Sequence, residues 1–359
     1  MQTLFEIAGK FKLPSEVKEI KPFGSGHIND TYKLSLVNSE AGDFILQRIN
    51  HHVFPDINGL SGNFSRVTNH LKEKLNGTVH YRPLYHIPAH DNSGWIEGEN
   101  GDFWRIINFI PGSKAIDLAE NTTQVYEAGK AYGWFLRNLA DLPKPELVPT
   151  IERFHDLQFR LDQLNDAIKQ NKGNRKQEVE NEIAFYKARE AELLTFYKLV
   201  GTVDIPYRAT HNDTKINNVL FAKDDKVLCV IDLDTTMPGV VHYDFGDALR
   251  TLANTALEDE QDCTKVRFNL EYFENFAKGY LEETKSILTS AELNYLSKAP
   301  VLMTYIMGIR FLTDYLNGDI YYKTKYSSHN LVRSRVQMHL IKSMEEQMLQ
   351  IEGIVKQLS

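Results

Sequence analysis

The sequence has few of the features that mark membrane, secreted or zinc-binding proteins. It contains only two cysteines, Cys229 and Cys263, and no Cys-x-x-Cys pair, so we expect plain thiols rather than disulfides or a zinc site. The apolar stretch at residues 299–312 is too short to cross a membrane and contains Arg310, which predicts a buried helix. Residues 1–6 lack a basic segment followed by an apolar one, which predicts a cytoplasmic protein.

Positive charge is also scarce. The 41 Lys and Arg residues are outnumbered by 48 Asp and Glu residues, which gives a net charge of −7, and they form no basic block. Nucleic acid and membrane surfaces are therefore not expected as partners. The composition is otherwise that of a globular protein, with 42% hydrophobic and 25% charged residues. A length of 359 residues is enough for about two domains of ordinary size.

The spacing of apolar residues divides the chain into a strand-rich part and a helical part. The predicted strands of the first part are residues 17–23, 31–37, 44–49 and 103–110. One helix is predicted among them at residues 60–75, and a Pro-Gly pair ends this part. A short β-like insertion at residues 207–233 interrupts the later helices. We therefore predict an N-terminal domain at residues 1–111 and a C-terminal domain at residues 112–359.

The most informative segment runs from His211 to Asn218 and is followed by a predicted strand that carries Asp232. Phosphoryl transfer needs one carboxylate that orients the attacking hydroxyl and accepts its proton. It also needs a carboxylate and an amide oxygen that hold Mg²⁺ on the phosphates of ATP. Asn218 follows Asp213 by five residues, as in the kinase loop H-x-D-x-x-x-x-N. The pattern predicts a kinase with Asp213 as catalytic base and with Asp232 and Asn218 as metal ligands.

A literal D-F-G tripeptide, Asp244-Phe245-Gly246, lies further along the chain. It is too distant from Asn218 to be the aspartate of the next strand, whereas Asp232 has the expected spacing. We therefore keep Asp232 as the metal ligand and expect Asp244 to brace the catalytic loop through backbone hydrogen bonds.

A turn between the first two predicted strands contains Gly24, Ser25 and Gly26. Alone it would be an ordinary hairpin, but upstream of a kinase-type loop its glycines predict close approach of the backbone to phosphates. The predicted strand before the Pro-Gly pair takes the place of a hinge strand whose backbone binds adenine. Asn108 and Ile110 of that strand are therefore candidates for nucleotide binding.

These residues resemble the aminoglycoside phosphotransferase and choline kinase superfamily, whose signature is an H-G-D loop, a following Asn, and Ile-Asp on the next strand. Asn212 replaces the usual Gly. The resemblance implies an α+β, two-lobed protein-kinase-like fold with a small β-rich N-terminal lobe and a larger helical C-terminal lobe. It also implies ATP and Mg²⁺ as cofactors.

Within that superfamily the chain resembles the N-acetylhexosamine 1-kinases from end to end. The matching stretches include residues 26–29, 44–47, 211–215, 231–235, 244–247, 310–312, 314–316, 318–321 and 329–333. The resemblance implies transfer of phosphate from ATP to the anomeric hydroxyl of a small-molecule sugar, GlcNAc or GalNAc, which gives the α-1-phosphate. It implies that Asp213 orients O1, that His27, Arg310 and Tyr321 face the sugar, and that Asp234 is an outer-shell or sugar contact.

Each sugar contact has a structural alternative. His27 would otherwise line the phosphate loop, and Tyr321 would be a core aromatic. Burying the guanidinium of Arg310 is costly unless it meets a ligand or neutralises a buried carboxylate such as Asp314.

The third predicted strand carries a departure from the kinase pattern. Most kinases place a Lys there that contacts the phosphates, but the aligned residue is Gln47. Arg48 points to the opposite face of the strand, so it does not simply substitute. Either Mg²⁺ and backbone donors bind the phosphates, or the chain has lost activity. The resemblance includes this Gln, which favours the first.

Two other functions remain open. The chain could phosphorylate another small alcohol, such as choline, homoserine or an aminoglycoside, although Arg310 argues against a cationic acceptor if it faces the substrate. It could also be a non-catalytic pseudokinase, because Gln47 replaces the usual Lys. The intact set of Asp213, Asn218 and Asp232 argues against the second.

Overall fold

The computed structural model describes residues 2–24, 28–75, 81–143 and 147–359 of the chain. The strands are β1 (Val17–Pro22), β2 (Asp30–Leu36), β3 (Asp43–Ile49), β4 (His86–Ile87), β5 (Ile96–Glu97), β6 (Phe103–Asn108), β7 (Arg208–Thr210), β8 (Val219–Phe221), β9 (Val227–Val230) and β10 (Met237–Gly239). The α-helices are α1 (Leu4–Ala8), α2 (Ile57–Lys74), α3 (Thr122–Leu139), α4 (Leu157–Gln170), α5 (Glu180–Lys187), α6 (Glu190–Tyr197), α7 (Val241–Leu252), α8 (Leu270–Thr284), α9 (Ser290–Leu296), α10 (Ala299–Leu316), α11 (His329–Glu346) and α12 (Met348–Leu358). Within the four described ranges, no helix combines the length and the apolarity needed to cross a bilayer.

The chain forms two compact units that are not simply consecutive. The first consists of Met1–Ala115, Asp141–Glu152 and Val219–Pro238, and the second of Ile116–Ala140, Arg153–Asn218 and Gly239–Ser359. The predicted boundary after residue 111 lies close to the end of the first stretch. The predicted division assigns the two later stretches of the first unit to the C-terminal domain.

An antiparallel sheet is the framework of the first unit. The strand order is β1-β2-β3-β6-β4, and β5 also pairs with β6. Leu34, Leu46 and Ile106 point to the same face and join α1 in a buried apolar cluster. Residues of opposite parity point the other way, so Thr31, Gln47 and Arg105 lie side by side in register across β2, β3 and β6 on the opposite face.

The side chain of Asn63, on α2, ties the two later stretches into the first unit. Its amide nitrogen donates to the carbonyl oxygens of Val148 and Thr236 at 2.8 and 3.0 Å, and its oxygen accepts from the N–H of Val148 at 3.1 Å. Backbone hydrogen bonds in both directions, each 2.8 Å long, join Lys114 to Phe221 of β8. Together these bonds fix the β8–β9 hairpin and the turn that follows it within the unit.

The second unit is built from helices around α10. Nearly all of α10 is buried, and it packs against α4, α7 and α11, so the apolar stretch is a buried helix as predicted. Elsewhere in the unit α3 and α8 approach each other closely at Gly129. A Cβ atom at this residue would lie only 3.1 Å from the Cα of Phe276, so the contact requires Gly.

The structure differs from the predicted elements at one functional position. The final strand of the β-like insertion ends at Val230 rather than at residue 233. Asp232 has a φ of 61°, which lies in the left-handed region and cannot continue a strand. The chain turns at this residue into a short 3₁₀ helix, Leu233–Thr235.

Candidate active site

The predicted catalytic loop lies in the second unit, directly after β7. The buried carboxylate of Asp244, on α7, accepts hydrogen bonds from the backbone N–H groups of His211 and Asn212 at 2.8 and 2.7 Å. The hydroxyl of Thr214 donates to the backbone carbonyl of Asp244 at 2.6 Å. These contacts confirm that Asp244 braces the catalytic loop.

The charge state of Asp244 suits this role. Burial raises the pKa of Asp244 to about 6, while the electrostatic interaction with His211 and the hydrogen bonds from the two backbone N–H groups oppose the rise. A carboxyl group with this pKa is mostly ionised at neutral pH. Both of its oxygens therefore act as acceptors for the loop.

The backbone conformation explains why Asn212 stands where the superfamily has Gly. Asn212 has a φ of 63°, in the left-handed region that Gly adopts freely and that Asn tolerates better than most residues. Its side-chain amide donates to the carbonyl of Thr210 at 3.1 Å, and the carbonyl of Asn212 lies 2.9 Å from Nε2 of the buried His155. Burial lowers the pKa of His155 to about 4, so this ring is neutral and Nε2 carries the donated proton. The replacement therefore preserves the conformation of the loop.

Asp213, the predicted base, has 22% of its side chain exposed. Its Oδ1 lies 2.8 Å from Nζ of Lys215, and Nδ2 of Asn218 donates to its Oδ2 at 3.1 Å. Burial alone would raise the pKa of Asp213, but the charge and hydrogen bond of Lys215, with help from His211 and Asn218, hold it below its usual value. Asp213 is therefore ionised at neutral pH and can accept a hydrogen bond from a substrate hydroxyl.

The two predicted metal ligands lie in different units. Asn218 is buried, and its amide nitrogen makes both of its bonds to Asp213, which leaves the amide oxygen as a possible ligand. Asp232 is exposed at the left-handed turn after β9. Among the described residues, no group of three or more His, Cys, Asp and Glu side chains could hold a metal by itself. Mg²⁺ commonly binds through one or two carboxylates together with waters and substrate phosphates, so each residue offers the kind of oxygen donor that Mg²⁺ takes, and metal binding by the two stays a prediction.

Asp234 lies at the centre of a polar network in the first unit. Nη1 and Nη2 of Arg105 contact its two carboxylate oxygens at 2.5 and 2.9 Å, and Nδ2 of Asn29 donates to Oδ2 at 2.7 Å. The side chains of Arg105 and Asp234 are only 4% and 2% exposed. Nε of Arg105 also donates to Oε1 of Gln47 at 2.9 Å. A sugar contact by Asp234 stays a prediction, and it would require this ion pair to open.

The predicted nucleotide-binding residues of the first unit are only partly described. Ser25 and Gly26, with His27 of the predicted sugar site, lie outside the described residues. Gly24 has a φ of 78°, as a glycine turn requires. Gln47 is half-buried, and its Nε2 donates to the hydroxyl of Thr31 at 3.2 Å.

The two hinge candidates are both buried. The side chain of Asn108 accepts from the N–H of Tyr85 at 2.8 Å and donates to the carbonyl of Pro83 at 3.0 Å, so it holds the segment before β4. Ile110 is part of the apolar core. Adenine binding by their backbone stays a prediction.

Arg310 lies in an aromatic environment in the second unit. Its guanidinium carbon is 5.3 Å from the ring centre of Phe154 and 5.7 Å from that of Tyr322. Among the residues that the structure describes, Arg310 makes no ion pair, and its Nη1 contacts only the sulfur of Met307, at 3.3 Å. The alternative that Arg310 neutralises Asp314 is therefore wrong for this structure.

Arg160 is a second guanidinium beside Phe154. Its Nη2 and Nε donate to the carbonyl of Phe154 at 2.8 and 3.2 Å, and Nη1 donates to Gln163 at 2.8 Å. Burial and the positive charge of Arg310 lower the pKa of Arg160 to about 10. As with Arg310, no carboxylate in the described ranges forms an ion pair with it.

The carboxylate of Asp314 instead organises the loop that carries Tyr321. It accepts from the backbone N–H groups of Ile320, Tyr321 and Tyr322 at 3.0, 2.8 and 2.9 Å. Nδ2 of Asn330 donates to the same carboxylate at 2.9 Å. The side chain of Tyr321 is largely exposed, so it is not a core aromatic, and its contact with a sugar stays a prediction.

Sequence reasoning missed Arg105 and Arg160. Arg105 is the single charge in the apolar run of β6, and the same cost of burying a guanidinium that singled out Arg310 applies to it more strongly. Arg160 lies in a highly charged helical segment, where nothing in the sequence distinguishes it from its neighbours.

The left-handed backbone at Asn212 leads to a stability prediction. Asn212→Gly should unfold with nearly the wild-type free energy, whereas Asn212→Ala should lose about 1–2 kcal/mol because Ala is strained at positive φ. Urea unfolding of both variants measures the difference, with Asn275→Ala on α8 as a control for loss of an Asn at ordinary helical φ. Equal losses in the Gly and Ala variants would show that the side-chain bond to Thr210, and not the backbone, sets the requirement.

Comparisons with known proteins identify the family and the fold of the chain. A model of the phosphotransferase enzyme family matches residues 19–282. An aminopropanol kinase associated with a microcompartment is similar in structure, with a TM-score of 0.63, 14% identity and coverage of 97% of both chains. An aminoglycoside phosphotransferase from Alicyclobacillus acidocaldarius has a TM-score of 0.62 and 11% identity, covering 100% of this chain and 98% of that one.

A third similar structure is the amicoumacin kinase hAmiN in complex with AMP-PNP, Ca²⁺ and Ami. Its TM-score is 0.59 at 14% identity, with 92% of this chain and 91% of that chain covered. At such low identities these likenesses establish the fold alone, and they confirm the predicted aminoglycoside phosphotransferase fold. The family match spans more than half of the chain and includes the predicted catalytic loop. The chain therefore belongs to the phosphotransferase enzyme family.

Proposed function

We propose that the protein is an ATP- and Mg²⁺-dependent kinase that phosphorylates O1 of N-acetylhexosamines, GlcNAc or GalNAc, and forms the α-1-phosphate. The observation that carries the choice of acceptor is Arg310. Its half-buried guanidinium has no carboxylate partner among the described residues and lies near two aromatic rings, at a position where the resemblance implies a sugar contact. A neutral sugar with several hydroxyl and carbonyl oxygens would satisfy these donors.

In the proposed reaction Asp213 acts on the acceptor hydroxyl. Its carboxylate accepts the hydrogen bond of O1–H, orients O1 toward the γ-phosphorus and takes the proton as the new P–O bond forms and ADP leaves. The low pKa of Asp213 keeps the group ionised before reaction. When bound through Asp232 and Asn218, Mg²⁺ would neutralise the developing charge on the phosphates.

The positive charges of two arginine side chains in the second unit, Arg310 and Arg160, disfavour cationic acceptors. Choline and aminoglycosides carry positive charge, and a site for them needs carboxylates or an aromatic cage free of other cations. Arg310 and Arg160 place two positive charges at the same residue, because Arg310 lies over the ring of Phe154 and Arg160 bonds to its backbone carbonyl. Like charges brought together in this way weaken binding. We therefore place amino alcohols below neutral sugars as acceptors.

The same pair of guanidinium groups supports one second candidate. Two Arg side chains without carboxylate partners, in the described part of the chain, are a common means of binding a carboxylate or a phosphate. An alcohol that carries an acidic group, such as a uronic acid, would therefore be the next acceptor class to test.

An acceptor panel tests the proposal directly. We expect ADP release with ATP and Mg²⁺ to be fastest with GlcNAc or GalNAc, and phosphorus NMR to show an anomeric phosphate. Glucose, galactose, glucuronate, choline and homoserine complete the panel. Preference for glucuronate would support the second candidate, and preference for choline or homoserine would contradict the acceptor assignment. No turnover with any acceptor would favour a pseudokinase.

Removal of the proposed base should stop the chemistry but not nucleotide binding. Asp213→Asn keeps the size of the side chain and loses the proton acceptor, so we expect kcat to fall by about 10²–10⁴. Affinity for ADP, measured by calorimetry, should change little. The exposed Asp262, which only caps a 3₁₀ turn, provides Asp262→Asn as the matched control. A wild-type kcat in Asp213→Asn would remove Asp213 from the role of base.

Arg310 should affect the acceptor and not ATP. Arg310→Lys keeps the charge but loses the planar fork, so we expect the KM for the sugar to rise about tenfold while the KM for ATP stays constant. Arg189 is a matched control because it also stacks on an aromatic ring, Phe185, but is paired with Glu345. An unchanged sugar KM in Arg310→Lys, or an equal change in Arg189→Lys, would take Arg310 out of the sugar site.

A further inference from the structure

The buried Arg105 is the most unusual charged residue of the first unit. It lies on β6 between apolar neighbours, and its side chain is 4% exposed. A guanidinium in such a place is costly unless each of its donors finds a partner. Nη1 and Nη2 are used by Asp234, and Nε is used by Gln47. Each guanidinium nitrogen of Arg105 therefore has a hydrogen-bond partner, which is either Asp234 or Gln47.

The register of the sheet relates Arg105 to the missing kinase Lys. Gln47 occupies the position on β3 where most kinases keep that cation, and Arg105 is its direct neighbour on β6. The neighbouring charge on β3, Arg48, is exposed and bonds to Asp30, as expected for a residue on the other face. Arg105, the cation that contacts Gln47 on the same face of the sheet, therefore lies on β6, whereas kinases usually place their Lys on β3.

The second partner connects Arg105 to the predicted metal ligand. Asp234 lies within the short 3₁₀ helix that begins directly after Asp232. The carboxylate of Asp234 is fixed at two points by Arg105 and at a third by Asn29, whose Oδ1 accepts from the N–H of Asn50 at 3.0 Å. The left-handed turn at Asp232 is therefore held in place by a contact with the sheet.

The rings that surround Arg105 add no second positive charge near its guanidinium. Phe64, on α2, lies 5.4 Å from the guanidinium carbon, and the ring of His86 stacks on Phe64 at 4.1 Å. Burial and the positive charge of Arg105 lower the pKa of His86 to about 3, so His86 is neutral. The neutral His adds no competing charge to the Arg105–Asp234 pair.

We propose that Arg105 is a positioning residue in a sheet whose β3 strand lacks the usual kinase Lys: it orients Gln47 by one hydrogen bond and fixes the predicted metal-binding turn at Asp232 through Asp234. Arg105 itself is buried and is not expected to touch the phosphates. The proposal rests on the proposed use of ATP and a divalent metal, but it is independent of which alcohol is the acceptor.

Three variants separate positioning from simple support of the fold. Arg105→Lys keeps the charge and loses the two-point contact with Asp234. Asp234→Asn keeps the shape of the partner and loses its charge. Because each of these leaves an imperfectly paired buried charge, the double variant with Arg105→Gln and Asp234→Asn removes both charges at once. Arg48→Lys is the matched control, since it makes the same substitution at the exposed pair with Asp30.

The readout is binding of Mn²⁺ in the presence of ADP and without any acceptor, followed by the EPR signal of free Mn²⁺. At a temperature where every variant is folded, we expect the Kd for Mn²⁺ to rise about 10–100-fold in Arg105→Lys and in the double variant. Turnover assays should show a higher KM for ATP and an unchanged KM for the acceptor. Arg48→Lys should match the wild type in both.

Two results would overturn the proposal. Variants that melt at lower temperature but bind Mn²⁺ and ADP like the wild type would make Arg105 a structural residue only. Equal loss in Arg48→Lys would place the relevant cation on β3. Because no acceptor is present in the binding experiment, a failure here leaves the acceptor assignment untouched, and a wrong acceptor assignment leaves this result unchanged.

Discussion

A buried carboxylate that accepts backbone N–H groups is the interaction on which both loops with predicted functional residues in the second unit depend. Asp244 holds the catalytic loop through the N–H groups of His211 and Asn212. Asp314 holds the loop of Tyr321 in the same way, with three consecutive N–H groups. Loops carry few backbone hydrogen bonds of their own, so an acceptor supplied from a helix gives them a fixed shape. The functional side chains are then oriented by the helices α7 and α10.

The predicted catalytic loop could be located from the sequence because the kinase pattern depends on short sequence spacing, while its chemistry stays a prediction. The distance from Asp213 to Asn218, and the apolar strand before Asp232, are local features that survive without knowledge of the fold. The role of Asp244 could also be inferred, because its distance in the sequence from Asn218 argued against a role as metal ligand. The four long strands of the sheet, β1, β2, β3 and β6, and the helix α2 followed from apolar periodicity, whereas the short strands β4, β5 and β10 were not predicted.

The polar network of the first unit could not be predicted because it joins residues that are distant in the sequence. Arg105 and Asp234 are separated by 129 positions, and only the fold brings the late stretch of the chain back to β6. The turn at Asp232 was missed for a related reason, because a left-handed residue after a strand has no signature in composition. Arg160 could not be singled out from the sequence, because only the described structure shows which of the many charged residues in its segment lacks a carboxylate partner.

Arg105, which is buried, and Arg310, which is half-buried, differ in the partners of their guanidinium groups. Arg105 has acceptors for its guanidinium within the protein, namely Asp234 and Gln47, so its donors are engaged inside the first unit. Arg310 has aromatic neighbours and no carboxylate partner in the described ranges, so its hydrogen-bonding capacity remains available to a ligand. The difference lies in their partners and not in the degree of burial alone.

The left-handed backbone at Asn212 has a consequence for how relatives of this chain are recognised. A search pattern that demands Gly between the His and the Asp of the catalytic loop describes a residue, whereas the loop requires a conformation. Asn satisfies that conformation at φ 63° and adds a hydrogen bond to Thr210. Patterns written as His, then Gly or Asn, then Asp would gather divergent members that a literal pattern discards.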